Sequence, residues 1–294
     1  MNEIYTEIRD NGSYELRKKE SLFRVTVVTL FTMIVGDITC ALLLPAVPES
    51  AAYWHTFMLY ASFIGTWIAV LTVSSFPKNR YIKGYIYRNN GGNRLSYLFY
   101  GFAAGMILNG LSAVVAYLHG DIKIIFNSFE ILPVTGLFFA VFIQSSAEEV
   151  LCRGFMYQRL LNGRKNAVTA VVVNSLVFAV LHLGNDGISV LGFYDLLVTG
   201  IFFSLLVFYY DSLWLAMGVH TTWNFTQSIL LGLPNSGTNV PYSVFMADHS
   251  AMHNSFAYST EFGLEGTILS SVIMTLCCAG LFILKNKDKK LWDL

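Results

Sequence analysis

Residues 132–161 read LPVTGLFFAVFIQSSAEEVLCRGFMYQRLL. The run is uncharged from Leu132 to Ala147 and then sets Glu148, Glu149 and Arg153 into an otherwise apolar helix. A bilayer core of about 30 Å is crossed by roughly 20 helical residues, so this longer run either tilts or continues into the cytoplasm. Seven further stretches are comparably apolar: 25–44, 54–76, 95–118, 167–183, 189–209, 212–233 and 266–284. The predicted fold is therefore all-α, a polytopic membrane helix bundle of about eight transmembrane helices.

The rest of the 294-residue chain agrees. It is 54% hydrophobic and only 13% charged, about half the charged share of a soluble domain. Lys plus Arg equals Asp plus Glu at 19 each, so no net charge draws the chain to nucleic acid. Cys40, Cys152, Cys277 and Cys278 lie in apolar runs without CxxC spacing, which indicates neither a disulfide framework nor a zinc ribbon.

Basic residues orient the bundle, because Lys and Arg gather in short cytoplasmic loops. With eight spans and a cytoplasmic N-terminus, 17 of the 19 basic residues fall on the inside. They cluster at 9–24, 78–94, 159–165 and 285–290, leaving only Lys123 outside and Arg153 within a span. The expected organisation is a cytoplasmic segment 1–24 with no cleavable signal peptide, one transmembrane domain 25–284 and a basic cytoplasmic tail 285–294. Segment 234–265 has no Lys or Arg and reads as an extracytoplasmic loop. The expected location is the cell membrane, with the lipid bilayer as constant partner.

A charged side chain within a span costs a few kcal/mol and marks a partner or a task. Such residues concentrate in the second half of the chain. Glu149 and Arg153 are four apart and can pair along one helix face. Glu148 points about 100° away from that pair. Asn174, Phe178 and His182 form another stripe at intervals of four, and His220 and Asn224 a third. At 1.5 Å per residue, Glu148 lies about 20 Å from the inner end of its span and His182 about 22 Å. His220 and Asn224 lie about 12 and 18 Å in, so the four come to similar depths. The predicted catalytic core is 132–230.

A carboxylate, two histidines and an amide around one cavity suit hydrolysis. Glu148 can take a proton from water, His182 can position that water, and His220 and Asn224 can donate to an oxyanion. Zinc held by Glu148, His182 and His220 is the competing chemistry, although no HExxH helix is present.

These residues also carry a resemblance. Glu148 to Arg153 fits EExxxR, Phe178 to His182 fits FxxxH, and His220 to Asn224 fits HxxxN. Ordered on separate membrane helices over roughly 132–230, they resemble the CPBP family of CAAX proteases and bacteriocin-processing enzymes, also called Abi. Its eukaryotic relatives are the type II CAAX prenyl endopeptidases. The resemblance implies that Glu148 activates water with help from His182, and that His220 and Asn224 stabilise the oxyanion. It makes Glu149 and Arg153, with Phe178, supporting residues. It implies a membrane-associated peptide or protein substrate and no required cofactor, with zinc as the alternative. Cys152 departs from the family, many of whose members carry Phe before the Arg-Gly pair.

Two other functions compete: a non-catalytic scaffold or bacteriocin self-immunity protein of the same fold, and a proton-coupled transporter. Few spans besides the fourth, fifth and seventh carry charge, which disfavours a proton relay. Asp37, Asn109 and Asp195 belong to no constellation and read as structural. His249 and His253 form an i,i+4 pair in the outer loop and read as solvated.

Overall fold

The computed structural model describes residues 20–87, 91–162 and 166–292, without the side chain of His249. Arg9, Arg17, Lys18, Lys19, Arg88, Arg164 and Lys165, used above to orient the chain, lie outside the described residues. The helices in order are α1 (Leu22–Leu43), α2 (Ala52–Ala61), α3 (Ile64–Val73), α4 (Tyr81–Ile86) and α5 (Leu95–His119). Then come α6 (Ile131–Glu149), α7 (Tyr157–Leu161), α8 (Val168–Leu181), α9 (Val190–Tyr210), α10 (Leu213–Asn224) and α11 (Ile268–Lys285). A π-helical segment, Val150–Met156, joins α6 to α7, and another, Phe225–Leu230, prolongs α10.

Hydroxyl side chains start four of these helices by accepting orphan backbone N–H groups. Ser21 accepts from Arg24, Ser189 from Gly192, Ser212 from Leu215 and Thr267 from Ser270. Large apolar side chains such as Phe23, Phe31, Leu42, Leu118, Leu132 and Val190 project outward, the arrangement expected when the surrounding solvent is hydrocarbon.

Each of the eight expected spans contains a helix, but among the described residues six rods are long and apolar enough to cross a membrane. The fifth and seventh differ. α8 has only 14 residues, and α10 is buried along almost its whole length. α10 therefore has protein rather than lipid around it, whereas α8 buries one face and turns Val168, Val172, Leu176 and Val180 outward. Among the described residues a short sheet also forms: β1 (Ile124–Phe126) and β2 (Phe245–Ala247) pair antiparallel, with Ile124 opposite Ala247.

Small residues set the closest crossings, as in other helix pairs that lack a hydrophobic drive. A methyl group at Gly65 of α3 would strike the Gly36 carbonyl oxygen of α1, and one at Gly105 of α5 would strike the Val219 carbonyl of α10. Between α3 and α5, α4 buries Ile82 and Ile86 against the core. Asn93 then bridges inward: its amide donates to the Tyr85 and Tyr87 carbonyls, and its oxygen accepts from Leu213 N and Trp214 N at the start of α10. Gly91–Asn93 is thus a clamp as well as a loop.

Segment 234–265 folds back over one end of the bundle. Gln227, in the π segment after α10, donates to Pro234 O at 2.6 Å, Asn185 donates to Ser236 O at 2.8 Å, and Tyr258, Phe262 and Leu264 are buried.

Candidate active site

The site begins where α6 gives way to the π-helical segment. A π turn carries one residue more than an α turn and re-aims the side chains around it. Here Glu148 and Glu149 stand immediately before one π segment, and Asn224 immediately before the other.

Glu149 and Arg153 form the expected ion pair, Oε1 to Nη1 at 2.9 Å, with both side chains wholly buried. Arg153 Nη2 donates to Gly200 O on α9 at 3.1 Å, and the guanidinium lies 4.4 Å from the Phe178 ring centroid and 5.3 Å from that of Phe203. Cation–π contact offsets part of the cost of burying that charge.

The same Glu149 Oε1 is also 3.0 Å from His220 Nδ1. Glu149 therefore orients the histidine of the third motif besides pairing with the arginine of the first. With Nδ1 committed, His220 turns Nε2 toward Glu148, 3.9 Å from its Oε2. Phe203 stacks on the imidazole at 5.2 Å between centroids, and Phe178 meets it edge-on at 6.4 Å.

Glu148 is held from its own helix. Gln144, four residues earlier, donates its amide to Glu148 Oε1. Gln144 Oε1 in turn accepts from Asn224 Nδ2 at 3.0 Å, and Asn224 Nδ2 is also 3.3 Å from Ser145 Oγ. A chain of amides thus runs Asn224 to Gln144 to Glu148. Because Gln144 and Ser145 take the Asn224 N–H groups, Asn224 can serve an oxyanion only by exchanging one of these bonds.

His182 caps α8: its Nδ1 lies 2.8 Å from Phe178 O, and its ring packs 4.7 Å from that of Phe178. That bond leaves Nε2 as the free nitrogen. No hydrogen bond joins His182 to Glu148; the two line one cavity of about 370 Å³ with His220 and Asn224. Among the described residues, no three His, Cys, Asp or Glu side chains are grouped to hold a metal ion.

The wall reaches beyond 132–230. α1 contributes Met33 and Asp37, α2 Leu59 and Tyr60, and α11 Met274. Glu265, in segment 234–265, also lines it, accepting from Trp223 Nε1 at 2.7 Å and from Ser236 Oγ. Burial pushes the Glu265 carboxyl above the ordinary carboxylate range, against those two hydrogen bonds and the influence of His182 and His220.

Sequence reading did not single out Gln144, Phe203 or Glu265. Gln144 is legible at i−4 from Glu148, but Phe203 and Glu265 carry no local signal. Cys152 lines the wall as a buried packing residue beside Phe178 and Phe262. Asn174 bonds Ser204, and Asn109 bonds Gln227, both away from the cavity.

Membrane-length helices enclosing a polar cavity with these groups define a multi-pass membrane protein with an internal site. Residues 130–226 match the family described as Type II CAAX prenyl endopeptidase Rce1-like. This is a family of proteases, the one that the three motifs resemble, and the match takes in all seven motif residues over about a third of the chain. No curated protein and no solved structure matches the chain.

Proposed function

We propose that the protein is an intramembrane endopeptidase of the cell membrane that hydrolyses membrane-associated or lipophilic peptides with a glutamate-activated water. The observation that carries this reading is the Glu148 carboxylate, free of the Glu149–Arg153 pair, oriented by Gln144 and facing both histidines across a cavity. A water between Glu148 and His182 Nε2 loses a proton to Glu148, and its oxygen adds to the scissile carbonyl. His220 Nε2, when protonated, donates to the developing oxyanion, and Asn224 joins it as substrate displaces Gln144 or Ser145. Collapse of the tetrahedral intermediate breaks the C–N bond, and the proton held by Glu148 passes to the leaving amine. Glu149 sets the orientation of His220, a second tier of positioning that such sites depend on.

The test is cleavage of a quenched lipophilic peptide library by purified protein in proteoliposomes. Wild type and Glu148→Ala are compared, each with and without a zinc chelator. Cleavage that survives chelator and disappears in Glu148→Ala is the expected result. Cleavage abolished by chelator would overturn the water-activation scheme and favour zinc. Wild-type protein inert on every peptide would favour the scaffold or immunity reading.

A further inference from the structure

The cavity wall carries a charge imbalance that hydrolysis does not require. Four carboxylates line it, those of Asp37, Glu148, Asp195 and Glu265, and no lysine or arginine does. Glu148 belongs to the reaction, and Glu265 is held by Trp223 and Ser236.

Asp37 and Asp195 remain. Asp195 is 1% exposed; its Oδ2 accepts from Gly266 N and Ser270 Oγ, both at 2.9 Å, while its buried Oδ1 has no hydrogen-bond partner. Asp37 stands on α1, about 22 Å from the helix start at Leu22, while His182 stands about 21 Å from the start of α8. Both helices start from the same side, so Asp37 reaches the depth of the catalytic groups. It is exposed, and it has no hydrogen-bond or ion-pair partner among the described residues. An ionisable side chain in a span points to a function with a definable partner. Arg153 is committed to Glu149.

We propose that the cavity selects peptide segments bearing a Lys or Arg side chain, with Asp37, on the wall it shares with Asp195, receiving the cation. The proposal rests on the endopeptidase reading and names its substrate class. A cation beside a carboxylate in a medium of low dielectric gains far more than it does in water, and the same wall repels an anionic segment, so discrimination works in both directions.

The test measures binding, so that it does not depend on turnover. Glu148→Gln protein in dodecyl maltoside, an uncharged detergent, is titrated with three labelled lipophilic peptides that differ only in one central residue: Lys, Gln or Glu. The Lys peptide is expected to bind at least tenfold more tightly than the Glu peptide, with Gln between. Adding Asp37→Asn should shrink the ratio of Lys to Gln, and Asp37→Lys should invert the order. Asp248→Asn, an outer-segment carboxylate off the cavity wall, should leave the ratio intact. Equal binding of the three peptides, binding of none, or a Lys preference that survives Asp37→Lys overturns the proposal. Failure of the two readings is distinguishable. Wild-type cleavage without any charge preference sinks the selectivity alone, whereas a Lys preference in a protein that never cleaves sinks the peptidase alone.

Discussion

Glu149 Oε1 accepts from Arg153 and from His220, so one buried atom couples the first motif to the third. Removing either charge of a buried pair strands the other, at a cost of about 3–5 kcal/mol. Arg153→Ala should therefore lower thermal stability markedly in detergent, read as loss of monodisperse protein on heating. An Arg153→Ala protein as stable as wild type would contradict the pairing. Glu148 is different, because its environment holds it in place without relying on it. Glu148→Gln should leave the unfolding midpoint near that of wild type and cut kcat by about 10²–10⁴-fold. Gln144→Ala should lower kcat by about 10²-fold with little change in KM, since a misplaced base costs that much. A KM effect in its place would make Gln144 a substrate contact.

Two features of the elements build the site: π segments directly after Glu149 and Asn224, and glycines where helices touch. The glycine contacts give a paired comparison on a single helix. Gly105 of α5 abuts the Val219 carbonyl of α10, whereas Gly110 of the same helix faces open space. Gly105→Leu should displace α10, and with it His220 and Asn224, costing about 1–3 kcal/mol or more and abolishing cleavage. Gly110→Ala should be neutral or stabilising by about 0.5–1 kcal/mol, as alanine restricts the unfolded chain and favours helix. Thermal unfolding of the two variants side by side tests the contrast. Equal destabilisation would mean that α5 does not approach α10 as described.

The bundle as a whole has a polar interior, apolar outer faces and segment 234–265, which closes one end over Glu265. The orientation expected from charge can be read chemically. With the four native cysteines replaced, Asn239→Cys in the outer segment should react with a membrane-impermeant maleimide in intact cells. Lys287→Cys in the tail should react only after permeabilisation. The reverse pattern would invert the topology and place 234–265 in the cytoplasm.

Much of this was legible in the chain. Charge-free runs locate helices in lipid because an unpaired backbone group or charge there is costly, and spacing of four puts Glu149 with Arg153 and Phe178 with His182 on shared faces. Periodicity along one helix says which residues share a face, yet it carries no information about which helix that face meets. The Glu149–His220 bond, the stacking of Phe203 on His220, and the entry of Asp37, Asp195 and Glu265 into the cavity wall join residues far apart in sequence. The chain alone could assign Glu149 only to the arginine four residues on. One more relation was decided by packing: Asn224 meets Gln144 only because α10 lies against α6. Local composition and spacing thus determined the elements and the chemical groups available. Tertiary contact decided which group orients which, because hydrogen bonds and ion pairs depend on distances that only the assembled bundle sets.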